Sequence, residues 1–259
     1  MKRNRILLFA LVINLALLSA CKYEKPYTIT GTFDLPDQIP FGDTIIDVPS
    51  MDGTWVYLLD FDNQLLDSAE VADNTFRISG IVDKRDPYYV HFVSQMGDAL
   101  IVVEPGDIEV TINPEITVTG TPSNDGMTDL ESALDELNNE TYDYLATLTD
   151  SLRATGGELT EDEQMEIAER YRVSMQHIID SIYDANKDNM AAAYAVIMRH
   201  INVNSADEFE EALSKYPKSI RENALVQVNL RSMREYEQFD DDDSITFDPS
   251  ILGVEELDD

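Results

Sequence analysis

Residues 27–33 read YTITGTF, with Thr28, Thr30 and Thr32 set between Tyr27, Ile29 and Phe33. A period of two is what a strand with one buried face requires. Outward from it, TWVYLLD (54–60) and LLDSAEV (65–71) flank a polar Asp62-Asn63 turn, and TFRISGI (75–81) puts Phe76, Ile78 and Gly80 on one face. Short runs at 88–93, 99–104, 108–112 and 116–119 follow, rich in Val, Ile, Thr and Tyr. Strand formers interrupted by turn signals about every 8–12 residues predict an antiparallel β-sandwich-like domain. Glu104-Pro105-Gly106-Asp107 is expected to form a type II turn. Residues 34–53, dense in Pro and Gly, read as an irregular insertion.

After Pro122 the period changes. Met127, Leu130, Leu134, Leu137, Thr141, Tyr144, Leu148 and Ser151 step by three and four, and so do Ala168, Tyr171, Met175, Ile178 and Ile182. Thr155-Gly156-Gly157 separates the two runs, and Thr160 with Glu163 forms a capping box for the second. This predicts a long αα-hairpin whose helices pack side by side. Residues 189–201 are apolar nearly all round and read as a buried helix. A capping box at Ser205 and Glu208 opens a helix to Tyr216, and a final amphipathic helix runs from Lys218 to Phe239. The fold class is therefore α+β: a β-rich domain (27–122), a helical domain (123–239) and an acidic tail (240–259).

Ahead of the first strand, Lys2, Arg3 and Arg5 precede an apolar run, 6–18, broken only by Asn14. Its length fits the roughly 7–15 residues of a signal-peptide core and falls short of the ~20 that cross a bilayer. Leu18-Ser19-Ala20-Cys21 resembles the lipobox of bacterial lipoproteins, which implies a leader over 1–20, a diacylglycerol on Cys21 whose two acyl chains are enough for stable anchoring, and a short tether over 21–26. The expected location is the cell envelope, at the outer rather than the inner membrane, facing the periplasm or the cell surface. Cys21 is the only cysteine, so a mature chain stabilised by disulfides is excluded. The leader takes three of the 18 basic residues and none of the 51 acids, leaving 15 against 51, a net charge of −36. A field of that sign disfavours nucleic acid and anionic lipid head groups.

Several stretches, in order and spacing, resemble the domain of unknown function 4369. They are Tyr27-Thr28-Ile29-Thr30-Gly31, Asp52-Gly53-Thr54-Trp55-Val56-Tyr57-Leu58, Asp67-Ser68-Ala69 and Phe76-Arg77-Ile78-Ser79-Gly80. Glu104-Pro105-Gly106-Asp107-Ile108 and Val118-Thr119-Gly120-Thr121-Pro122-Ser123-Asn124 complete the set. The helical part resembles the segment that follows this domain, most clearly at Asn186-Lys187-Asp188-Asn189-Met190-Ala191-Ala192-Ala193-Tyr194. The resemblance covers roughly 27–235. In longer relatives it implies a thioredoxin-like domain next, with a Cys-x-x-Cys motif that this sequence does not contain. Thiol–disulfide exchange needs a thiolate, so the redox half of the family is not expected here.

Three histidines are the remaining candidates for chemistry. His91 lies mid-strand, His177 flanks the stripe of the second long helix with Asp180 and Asp184 on its face, and His200 ends an apolar helix, where a cation suits the dipole. A metal site on His177 is the least bland of these readings, but no His-x-x-x-His or Cys/His ligand spacing exists. Hydrolase elbows, zincin motifs, Walker A loops and dinucleotide fingerprints are absent from the sequence, and no cofactor is expected. Asp60-Phe61-Asp62-Asn63 reads as a hairpin turn rather than a calcium loop, while Asp240–Asp243 can collect Ca2+ weakly. Asp-Ser/Thr-apolar triplets at Thr44, Ser68, Ser151, Ser181 and Ser244 are candidate O-glycan acceptors. The expected function is a non-catalytic, membrane-anchored binding or scaffolding module with a protein partner in the envelope. An accessory subunit of a separate thiol–disulfide or peroxiredoxin-type enzyme and an undetected hydrolase are the alternatives.

Overall fold

The strand that opens the β-rich region ends up in the middle of a sheet. β1 (Glu24–Phe33) pairs antiparallel with β6 (Thr75–Asp83), with Ile29 opposite Ile78, and parallel with β9 (Gly106–Asn113), with Ile29 opposite Ile108. β10 (Glu115–Thr119) adds to β9, giving the order β10-β9-β1-β6. A second four-stranded sheet has the order β5-β4-β7-β8, from β4 (Trp55–Leu59), β5 (Leu65–Glu70), β7 (Tyr88–Ser94) and β8 (Gly97–Val103). The computed structural model describes residues 23–36, 38–41, 44–113 and 115–240. Residues 1–20, read above as a leader, Cys21, Lys22 and the acidic stretch beyond Asp240, Ser244 included, lie outside them.

The two sheets face each other across one core. Ile29, Phe76, Ile78, Ile108, Val110 and Ile112 come from the first, and Val56, Leu58, Val90, Phe92, Ile101 and Val103 from the second. Phe76 and Phe92 stack across the interface with ring centroids 5.4 Å apart. Each of these side chains contributes about 1.5–3 kcal/mol by leaving water. The outward threonines of β1 alternate with the buried residues as the sequence pattern requires.

The helical hairpin follows. α1 (Pro122–Thr155) and α2 (Glu161–Ala185) are joined by a turn in which Gly156 takes φ +71°. There the N–H of Gly157 donates to Leu152 O and that of Gly156 to Arg153 O, closing the helix end as a Schellman motif does. The Thr160 box forms in full: the hydroxyl of Thr160 accepts from the Glu163 N–H, and the Glu163 carboxylate accepts from the Thr160 N–H at 2.9 Å. Near the sandwich the stripes meet in a small core of Leu130, Leu134, Ile179 and Ala195, the last from α3 (Ala191–Arg199). The apolar run of α3 is buried from Ala191 to Ala193 and again at Ala195 and Val196.

The chain divides into two compact units between Arg199 and His200, so α1 to α3 belong with the sandwich rather than with the later helices. The second unit contains α4 (Ala206–Leu213), α5 (Lys218–Arg221) and α6 (Ala224–Asp240), which bury Phe209, Leu213, Ile220, Val226 and Leu230.

Several elements differ from expectation. The insertion at 34–53 contains a β-hairpin, β2 (Gln38–Phe41) with β3 (Thr44–Asp47), in which Gln38 Nε2 donates to Asp47 Oδ1 at 2.7 Å. Its high Pro and Gly content hid it; Pro40 fits a two-stranded ribbon, where both strands are edges. β1 starts at Glu24, inside the stretch read as tether, because Glu24, Lys25 and Pro26 still find partners in Asp83, Val82 and Ile81. Gly106 sits at φ +134°, wider than a type II turn, so 104–107 is an open bend running straight into β9. The final helix is broken at Asn223, whose side chain accepts from Leu225 N and so restarts the chain as an N-cap. At Ser205 only half of the box forms. Its hydroxyl accepts from Glu208 N, while the Glu208 carboxylate turns to Asn204 N.

Candidate functional site

The residues singled out for chemistry do not converge. His91 packs edge-on against Phe61, 5.2 Å between centroids, on the outer face of the second sheet. His200 shares a contact with the Tyr216 hydroxyl at 3.1 Å, within the second unit. Asp180, the nearer of the two aspartates beside His177, is bound by Arg199 and by Gln176 Nε2, and Asp184 pairs with Lys187 at 2.8 Å. Both carboxylates thus have partners of their own, and among the described residues no three His, Cys, Asp or Glu stand close enough to hold a metal ion. The Asp60 carboxylate accepts from the N–H groups of Asp62 and Gln64, which is the hairpin turn read from the sequence.

The buried polar residues lie elsewhere, at the joint between the sandwich and the start of α1. Glu104, Thr121, Ser123 and Asn124 are all buried. Ser123 donates twice to Glu104, from its N–H to Oε1 and from its hydroxyl to Oε2, each at 2.7 Å. The carboxylate therefore caps the first turn of a 34-residue helix, where unpaired N–H groups and the dipole favour an anion. Asn124 pairs with the edge strand β8 as another strand would: Nδ2 donates to Val102 O and Oδ1 accepts from Val102 N, both at 2.9 Å. The Asp125 carboxylate accepts from Gly120 N at 2.7 Å.

The segment after α2 closes the joint from the other side. Met190 N donates to the Ser123 hydroxyl, Asn189 Nδ2 donates to Pro122 O, and the Tyr89 hydroxyl donates to Met190 O at 2.6 Å. A Cβ on Gly126 would stand 2.4 Å from Asn186 Oδ1 and 2.9 Å from the Ala191 Cβ, so only glycine admits this approach. The motifs at 104–107, 118–124 and 186–194 thus meet in one place, and their polar residues are occupied in holding it. The sequence reading found the boxes at Thr160 and Ser205 but missed this cap. Its signal was Pro122 at the first helical position, with the anion supplied from 18 residues upstream.

The hairpin beyond the joint presents an open groove of about 340 Å³ lined by Leu137, Glu140, Thr141, Ile167, Arg170 and Tyr171. A second hollow of about 180 Å³ extends it past Tyr144, Leu148, Glu163 and Glu166. The Arg170 guanidinium lies over the Tyr144 ring at 4.4 Å, and the Tyr171 hydroxyl donates to Asn138 Oδ1 at 2.7 Å. The Thr160 backbone N–H and hydroxyl hold the Glu163 carboxyl below its ordinary range. Nearer the joint, burial and then Glu131 push the Tyr194 hydroxyl well up.

Two facing sheets closed by a helical hairpin define an α+β chain with a β-sandwich head. Residues 27–127 match the family model Domain of unknown function (DUF4369), and this part of the chain is assigned to that domain. The match runs through the sandwich and stops one residue beyond Gly126, so it takes in the cap at Glu104 and Ser123. No curated protein and no solved structure matches the chain.

Proposed function

We propose that this is a non-catalytic, lipid-anchored protein of the cell envelope, held through Cys21, that binds a protein partner along its helical hairpin. The observation that carries the reading is the open groove along that hairpin, with exposed apolar side chains carried by the same two helices. Tyr142 is 71% and Met165 60% exposed, with Tyr144 and Val173 also open to solvent, close to the groove in sequence. An open groove with Tyr144 and Leu148 in its lining, on an otherwise charged pair of helices, supports an interaction site there. α1 and α2 carry eight and seven acids against Arg153, Arg170 and Arg172, so the fitting occupant is a basic segment with apolar side chains. The joint supports the reading in a second way, since a rigidly capped helix base holds the groove at a fixed place on the sandwich.

The test is a crosslinked pull-down from native membranes, comparing the wild-type chain with Tyr144→Ser/Leu148→Ser. A reproducible partner, lost with the double variant and at high salt, supports the hairpin as the binding arm. A partner that the variant retains moves the site elsewhere, and a partner set dominated by Cys-x-x-Cys proteins favours the redox-accessory role. No partner, under conditions that recover other envelope complexes, overturns the proposal.

A further inference from the structure

The anchor raises a physical difficulty. A body of net charge −36 is repelled by an anionic leaflet, yet a lipid on Cys21 would hold it there. The residues next to the anchor break the general charge pattern. Tyr23, the first described residue, is two positions from Cys21, a span of at most about 7 Å. The turn between β6 and β7 packs on it: Lys84 N donates to Tyr23 O at 2.9 Å, and the Arg85 guanidinium lies over the Tyr23 ring at 3.7 Å. Lys84 Nζ is 5.7 Å from the same ring. Lys25 lies on the neighbouring strand position, paired in register with Val82. Lys25 and Lys84 are exposed, and among the described residues neither is paired with a carboxylate. Arg85 is held by Asp83, with Nε donating at 3.0 Å.

The described residues 23–25 and 83–86 carry Lys25, Lys84 and Arg85 against Glu24, Asp83 and Asp86, a balance of zero, and the next residue toward the anchor in the sequence is Lys22. The remainder of the mature chain carries 11 basic residues against 48 acids. A cation within a Debye length of an anionic surface, about 8 Å at physiological salt, gains roughly 1 kcal/mol, and a tyrosine ring suits the head-group level.

We propose that Tyr23, Lys25, Lys84 and Arg85 form a membrane-contacting collar that seats the anchor end of the sandwich on phosphate-bearing lipid head groups. This rests on the lipid anchor proposed above. The anchor fixes the distance, and the collar fixes which end of the molecule faces the bilayer. Aromatic and cation are preassembled by the stacking of Arg85 on Tyr23, so docking orders few side chains. The acids elsewhere reinforce the orientation, because any other end brought to the surface raises the repulsion.

The experiment imposes the anchor chemically. The mature chain is coupled through the Cys21 thiol to a maleimide phospholipid in vesicles of phosphatidylcholine, with or without phosphatidylglycerol. The acylation rate of each lysine is then read by mass spectrometry against the uncoupled protein. Lys25 and Lys84 are expected to be protected about fivefold on the anionic vesicles at low salt. Protection should be lost at high salt, while Lys187, Lys215 and Lys218 react as they do in solution. Lys84→Gln should weaken the protection of Lys25. Equal reactivity at all lysines, or protection indifferent to phosphatidylglycerol, overturns the collar. The anchor itself is tested separately by the intact mass of protein extracted from native membranes: a missing lipid adduct overturns the anchor and leaves the vesicle result standing.

Discussion

Glu104, largely buried, accepts two hydrogen bonds from the fully buried Ser123, so removing either partner strands a buried polar group. Each group left unpaired costs about 1–3 kcal/mol. Glu104→Ala is therefore expected to destabilise the protein by about 2–4 kcal/mol in urea titration, and Asn124→Ala by about 2–3 kcal/mol. A change below about 0.5 kcal/mol would show that the joint contributes little. Gly126→Ala, which drives a methyl into Asn186 and Ala191, should cost about 1–3 kcal/mol by overpacking. Tyr27 gives the clearest pH signature. Burial, then Tyr88 and Asp67, push its hydroxyl from 10.0 up to about 12. The fold favours the neutral form, so the contribution of Tyr27 to stability is complete below pH 10 and is lost as pH rises from about 10 to about 12. Absorbance titration should show Tyr27 and Tyr194 both ionising late, and Tyr27→Phe should remove the earlier of these two late steps; an unchanged titration curve would refute the assignment.

At the level of elements, the strands were legible because their signal is local. Ile29 and Phe33 alternate with threonines, and a sheet with one wet face needs no more information than that. The hairpin was legible for the same reason, through its 3–4 stripe and the box at Thr160. Thr160→Ala should remove that box and cost about 1 kcal/mol, with amide exchange accelerating in the first turn of α2 and unchanged in the sandwich. What escaped the sequence depends on distant partners. The parallel pairing of β1 with β9 has no local mark. The cap at Ser123 comes from Glu104, 19 residues away; the half-formed box at Ser205 is instead a local matter, the Glu208 carboxylate accepting from Asn204 N rather than from Ser205 N. The break at Asn223 has a local cause, but a single Asn in an amphipathic run weighs little against the pattern around it.

Across the whole molecule, charge outweighs any single contact. A chain with a sequence pI near 4.1 repels itself when folded, and counterions relieve that repulsion. The urea midpoint should therefore rise steadily between about 10 mM and about 500 mM sodium chloride. A flat or falling midpoint would mean that the acids are spaced widely enough not to matter. The functional reading lies at this scale too, and here the sequence told least. It supplied the lipobox-like stretch, the stripe and the sign of the charge. Which apolar residues stay uncovered, such as Tyr142 and Met165, and which cations gather beside Tyr23, emerge only once the chain is folded.

The central position of β1 also sets the order of assembly. β1 is the first strand among the described residues, and one of its partners, β9, begins at Gly106. Until those residues exist, β1 can bind only β6, and its other edge is open to whatever strand it meets. The first sheet is thus completed at its centre by one of its last strands, a late long-range closure of the kind that slows folding. A nascent chain arrested before residue 106 should be prone to pair with itself, and the burst of risk ends when β9 takes its place.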